Sequence, residues 1–152
     1  MKIKAAIASL AFIATVPSWA FTCYYTLAKD NCWKAYDVTV DVMDGTTGAI
    51  LTTITIPKGE LWSRKEFSCE PLQVLIYSAR FAPIFWEKDK GKSYPSTNSW
   101  PMPETIHPGD SAWNISVCYP ADFAAVPMPP QATNSCKCDF SSIPQIPPKK
   151  IP

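Results

Sequence analysis

The chain has 152 residues, 47% of them hydrophobic and 18% charged, and its 14 basic residues nearly balance 13 acidic ones. Such a balance excludes the global basic field that would recruit nucleic acid or anionic lipid. The length is that of one domain, with enough chain for a real core.

The first twenty residues read as a cleaved signal peptide. Lys2 and Lys4 give a basic start, an apolar stretch runs from Ala5 to Val16, Pro17 breaks any helix, and Ser18 and Ala20 put small residues where a signal peptidase reads. The stretch is too short for the roughly 20 residues that a membrane-spanning helix needs. Cleavage is expected after Ala20, leaving a chain that begins Phe21-Thr22-Cys23, with 12 basic against 13 acidic residues. No later segment is apolar enough to span, so no membrane insertion is expected after cleavage. Periplasmic or extracellular residence follows.

Export changes how the cysteines are read. Cys23, Cys32, Cys69, Cys118, Cys136 and Cys138 all lie beyond the signal, and an even number in an oxidising compartment points to disulfides. Six cysteines allow fifteen pairings, and sequence does not choose among them. Cys136 and Cys138, one residue apart, cannot bridge each other without straining the bond. Each therefore needs a distant partner, which would tie the C-terminal segment to the body at two points. Cys23 and Cys32 could close a local loop or be those two partners.

Several strands follow in order. Asp37–Val42 alternates Val38, Val40 and Val42 against Asp37, Thr39 and Asp41, the pattern of a half-buried strand. Asp44-Gly45-Thr46-Thr47-Gly48 supplies a tight turn, and the β-branched run Ala49–Ile56 completes a hairpin. Leu61–Phe67 and Leu72–Phe81 read as further strands, the second apolar on both faces and so central. Ile84–Lys92 suggests a short strand running into a charged turn, and Ala112–Tyr119 places Trp113, Ile115, Val117 and Tyr119 on one face.

These elements predict an all-β fold, a single antiparallel β-sandwich stapled by disulfides. An immunoglobulin-like topology is possible by analogy, because Cys69, Trp86 and Cys118 fall in Cys…Trp…Cys order. Ser116, however, stands where the corner tyrosine of that fold would be. Twelve of the 16 prolines lie from Pro95 onward, which excludes helices and central strands there. Extended coverings anchored by Trp100, Met102, Phe123 and Met128 are expected instead. The domains are then a signal peptide over 1–20, a sandwich over 21–140 and a disordered, Pro-rich tail over 141–152.

Catalytic chemistry is hard to assemble, and no catalytic residue is assigned. The one histidine, His107, sits in a proline-rich turn without a Gly-x-Ser-x-Gly elbow. Asp37 and Asp41 share a strand face, but four residues of strand separate them by about 13 Å, too far for glycosidase geometry. A solvated outer face is the plainer role, with calcium at the Asp44 turn as the alternative. Cys136-Lys137-Cys138 has neither the spacing nor the histidines of a zinc site, so no metal or cofactor is expected. Aromatic residues are the larger surplus. Trp86 and Trp113 are expected in the core, while Trp62 and Trp100, flanked by polar residues or proline, are candidate binding residues for a sugar or a protein. Pro144-Gln145-Ile146-Pro147-Pro148-Lys149 fits a ligand for an SH3-type groove, although such motifs arise freely in proline-rich sequence.

The signal peptide, the strand from Trp113 to Pro120 with its Val117-Cys118-Tyr119-Pro120 ending, and Val126-Pro127-Met128-Pro129-Pro130 together resemble small exported proteins of unknown function from Gram-negative bacteria of the Legionella type. The resemblance implies export, with type II secretion and host-directed use as expectations, and no functional residues. The sequence therefore points to a non-enzymatic, exported binding protein for a protein or glycan partner. The alternatives are a small secreted hydrolase using surface carboxylates or His107, and a structural envelope component.

Overall fold

The computed structural model describes residue 11, residues 20–133 and residues 135–146. The predicted signal peptide, apart from residues 11 and 20, lies outside the described residues, as do Asn134 and the end of the tail from Pro147. Two sheets pack face to face as a β-sandwich. β1 (Phe21–Lys29), β4 (Trp62–Cys69) and β8 (Trp113–Tyr119) form a three-stranded sheet in the order β4-β1-β8. β2 (Asp37–Asp44), β3 (Ile50–Ile56), β5 (Val74–Ala82) and β6 (Tyr94–Pro95) form the other in the order β3-β2-β5-β6, with β7 (Trp100–Pro101) also on β5.

The β2–β3 hairpin follows the valine alternation. Val38, Val40 and Val42 are fully buried and stand opposite Ile56, Ile54 and Thr52. A Cβ at Gly45 would come within 2.9 Å of the Val74 carbonyl oxygen, and Gly48 takes a φ of +73°, so both glycines serve the turn. β5 is paired on both sides, as its two apolar faces imply.

Four expectations are corrected. Central strand β1 was not anticipated, and it pairs antiparallel with β4 but parallel with β8, so the sandwich is not wholly antiparallel. Ile84–Lys92 is not a strand: Glu87–Asp89 makes a single 3-10 turn, since Pro83 lacks the ladder donor and the charged run has no β-branched residue. Trp86 is 55% exposed, and the tryptophan at the centre of the core is Trp33, packed edge-on against Phe81 and Tyr119 with centroids 4.8 and 4.9 Å away. Trp113 is half-buried, its ring 4.6 Å from that of Phe21. Met128 is 61% exposed and is not part of the core, whereas Met102 and Phe123 are buried and Trp100 packs against the core from β7.

The cysteines pair as Cys23–Cys69, Cys32–Cys136 and Cys118–Cys138. Cys136 and Cys138 are thus separate tethers, one to the turn after β1 and one to β8, while Cys23 joins neighbouring strands. Cys69 and Cys118 lie on strands of the same sheet with β1 between them, so they cannot form an inter-sheet bridge.

Candidate functional site

Alternation on the three-stranded sheet decides what its outer face presents. Cys23, Tyr25 and Leu27 of β1 point into the core, as do Phe67 of β4 and Ile115 and Val117 of β8. The registers then align the outward side chains in three rows: Glu66, Tyr24 and Asn114; Arg64, Thr26 and Ser116; and Trp62, Ala28 and Cys118. Cys118 therefore bonds Cys138 on the outer face, and the chain beyond Cys138 is delivered across that face.

Arg64 organises the middle row. Its Nε donates to Thr26 Oγ1 at 2.9 Å, its Nη2 to the Pro144 carbonyl at 2.7 Å and its Nη1 to the Gln145 carbonyl at 3.3 Å. Its guanidinium carbon lies 5.6 Å from the centre of the Trp62 ring, a cation–π distance. Thr26 Oγ1 in turn donates to Asn114 Oδ1 at 2.7 Å, and Asn114 Nδ2 donates to Ser116 Oγ at 3.0 Å. On one side of Arg64 an open cleft of about 520 Å³ is lined by Tyr24, Trp62, Ser63, Arg64 and Glu66. On the other, a cavity of about 290 Å³ separates Thr26, Asn114 and Ser116 from Phe140, Ile143 and Ile146 above them.

The structure does not bring the two candidate tryptophans together. Trp62 lies in the open cleft of the three-stranded sheet, while Trp100 sits on the β5 edge of the opposite sheet and covers core. The tail expected to be disordered from residue 141 is described as far as Ile146, and this part rests on Arg64. Tyr24, Arg64 and Glu66 were not singled out from sequence. An assigned β1 would have revealed them, since Phe21–Lys29 alternates around Cys23, Tyr25 and Leu27 once it is set in a ladder.

The groups considered for catalysis have structural partners. The backbone N–H of His107 donates to Asp110 at 2.9 Å, its Nδ1 lies 3.6 Å from the same carboxylate, and its side chain is 73% exposed. Asp37 accepts from the Lys58 N–H. Asp41 accepts from Thr53 and pairs with Arg80 at 2.6 Å; burial pushes its pKa up, but those partners outweigh it and hold the carboxyl below its usual value. Asp44 accepts from Gln73 and from the N–H groups of Thr47 and Thr46, which keep its pKa low and close the turn. Asp30, Cys32 and Cys136 lie close enough to ligate a metal, but the two sulfurs are bonded to each other. Lys29 is a buried residue that sequence did not flag: its Nζ donates to the Tyr36 and Pro57 carbonyls, and burial lowers its pKa to about 8.

Three disulfides, with no free cysteine among the described residues, fit an oxidising, non-cytoplasmic compartment. No described helix is long and apolar enough to cross a membrane. No family model matches the chain, and no curated protein or solved structure matches it either.

Proposed function

We propose that this is an exported, non-enzymatic binding protein whose ligand face is the outer side of the β4-β1-β8 sheet. The observation that carries the reading is the open cleft in which Trp62 and Tyr24 supply apolar faces beside Arg64, Glu66 and Ser63. Exposed aromatic area next to charged and hydroxyl groups is the chemistry of a recognition surface, where the rings give contact area and the polar groups give orientation. A protein partner is the primary ligand class. The strap from Ser141 to Ile146 favours it, because the face already holds a stretch of polypeptide. Residence in the periplasm or outside the cell, release by type II secretion and host-directed use agree with the signal-like N-terminus and with the resemblance to exported proteins.

The test is retention of proteins from host-cell extract by immobilised oxidised protein, with a glycan array run in parallel. A ligand retained by the wild type and by Trp100→Ala, but lost with Trp62→Ala, is the expected result. Equal retention by Trp62→Ala, with the fold verified by near-ultraviolet circular dichroism, would overturn the assignment of the face. Binding to the glycan array alone would replace a protein ligand with a sugar.

A further inference from the structure

The strap over the outer sheet face is held in an unusual way. Among the described residues, the hydrogen bonds that join Ser141–Ile146 to the β-sandwich run through one side chain, Arg64. The others are local, from Ser141 and the Ser142 N–H to Asp139 and from the Ile143 N–H to the Phe140 carbonyl. Arg64 donates to the main-chain carbonyls of Pro144 and Gln145, which follow the turn at Ser141–Ile143, so the latch engages main chain rather than a particular side chain. Proline favours such a segment, because polyproline-like backbone leaves its carbonyls without internal partners. A pocket of about 290 Å³ opens where the strap meets the sheet.

We propose that this face is a docking groove for an extended, proline-containing segment of a partner protein, and that residues 141–146 occupy part of it in cis until the partner displaces them. The inference rests on the proposed function and adds the partner's chemistry and the means by which access is limited. A segment longer than the strap continues past Arg64 onto Trp62 and Tyr24, where proline rings lie against aromatic faces, as in other grooves that bind polyproline. Glu66 at the far end of that cleft favours a basic residue in the same segment. The Cys118–Cys138 tether begins only a few residues before the strap, which keeps the strap at an effective concentration in the millimolar range. An incoming segment must therefore compete with a resident one.

The chain's own tail has this chemistry and serves as the probe: a fluorescent peptide of residues 141–152, Ser-Ser-Ile-Pro-Gln-Ile-Pro-Pro-Lys-Lys-Ile-Pro. The full chain, with a specific protease site inserted after Phe140, is folded and oxidised, and half of it is then cut and freed of its tail. The cut protein is expected to bind the peptide at least tenfold more tightly than the uncut protein. Arg64→Ala in the cut protein should remove that binding, and Arg64→Lys, which keeps the charge but loses the fork, should weaken it. A peptide with alanine at all prolines should bind less. Equal affinity of cut and uncut protein, or unchanged binding by Arg64→Ala with an unaltered near-ultraviolet spectrum, would overturn the proposal. A dimer of the uncut chain that dissociates on cutting would assign the groove to a second copy and overturn the foreign partner. Peptide binding that survives while partner retention proves insensitive to Trp62→Ala would sink the proposed function and leave the groove standing. The converse pattern would sink the groove alone.

Discussion

Trp33 carries more of the core than any other described tryptophan, since it is fully buried and its ring meets Tyr36, Phe81, Phe85 and Tyr119 within 5.5 Å. Trp33→Ala should cost about 3–5 kcal/mol, read as a drop in the denaturant midpoint, whereas Trp86→Ala at an exposed site should change stability by less than about 0.5 kcal/mol. Sequence could not rank the two, because a tryptophan's burial here depends on which turn folds under the sandwich, and Asn31–Trp33 tucks in only because Asp30 caps it and Cys32 is bonded to Cys136. Lys29 gives a second residue-level prediction. Burial lowers its folded pKa to about 8 from the ordinary lysine value, so the unfolded chain binds the extra proton between the two, and stability rises with pH across that interval. A gain of about 1–2 kcal/mol is expected between pH 7 and pH 9.5. Above that range Tyr77, whose pKa burial raises to about 12, works the other way, because the unfolded tyrosine ionises first and stability falls again. Lys29→Met should flatten the rise in urea unfolding measured across the series, and a rise that persists in the variant would rule out Lys29 as its source.

Among the elements, β1, β2 and β5 are flanked by partners on both sides, while β3, β4 and β8 form sheet edges. Amide hydrogen exchange should accordingly be slowest at Tyr25–Leu27, Val40 and Ala79, and fast at the two-residue strands β6 and β7 and in the strap. Fast exchange throughout β1 would contradict its central position. The hairpin and β8 were legible from alternation and β-branched runs, β5 from a long apolar run on both of its faces, and β4 from its position between two turns and from its aromatic ends. β1 was not, for a physical reason: Tyr24 and Ala28 interrupt Thr22 and Thr26 on its outer face, and that face is covered by Arg64 and the C-terminal segment, so the strand carries only a weak polar stripe to betray its period. The outer-face cleft stayed hidden with it, since Tyr24 and Arg64 meet only through the β1–β4 register. Trp62 was the exception, a large aromatic beside Ser63 and Arg64, recognisable without the fold.

At the scale of the molecule, the covalent framework decides where the C-terminal segment lies. Cys32–Cys136 and Cys118–Cys138 span 104 and 20 residues and draw the proline-rich chain back onto β1 and β8, and Cys23–Cys69 locks the other side of the same sheet. That two distant tethers were needed was legible from the one-residue spacing of Cys136 and Cys138. Their partners were not, because strand order places Cys118 outward and Cys69 beside Cys23, and local sequence carries no strand order. Cutting the chain after Phe140 removes the exposed Arg64 latch, the local turn bonds and the partly exposed Ile143 and Ile146, but no disulfide and no residue of the buried core, so the loss of stability should stay below about 1.5 kcal/mol, measured as the shift of the denaturant midpoint. The proposed binding face and its strap both depend on the position of Cys118 on the outer surface. The most direct test is a disulfide map of the oxidised protein by non-reducing peptide mass spectrometry. Linked peptides joining Cys23 to Cys69, Cys32 to Cys136 and Cys118 to Cys138 are predicted, and a Cys69–Cys118 bridge, or free thiols at Cys136 and Cys138, would contradict the account.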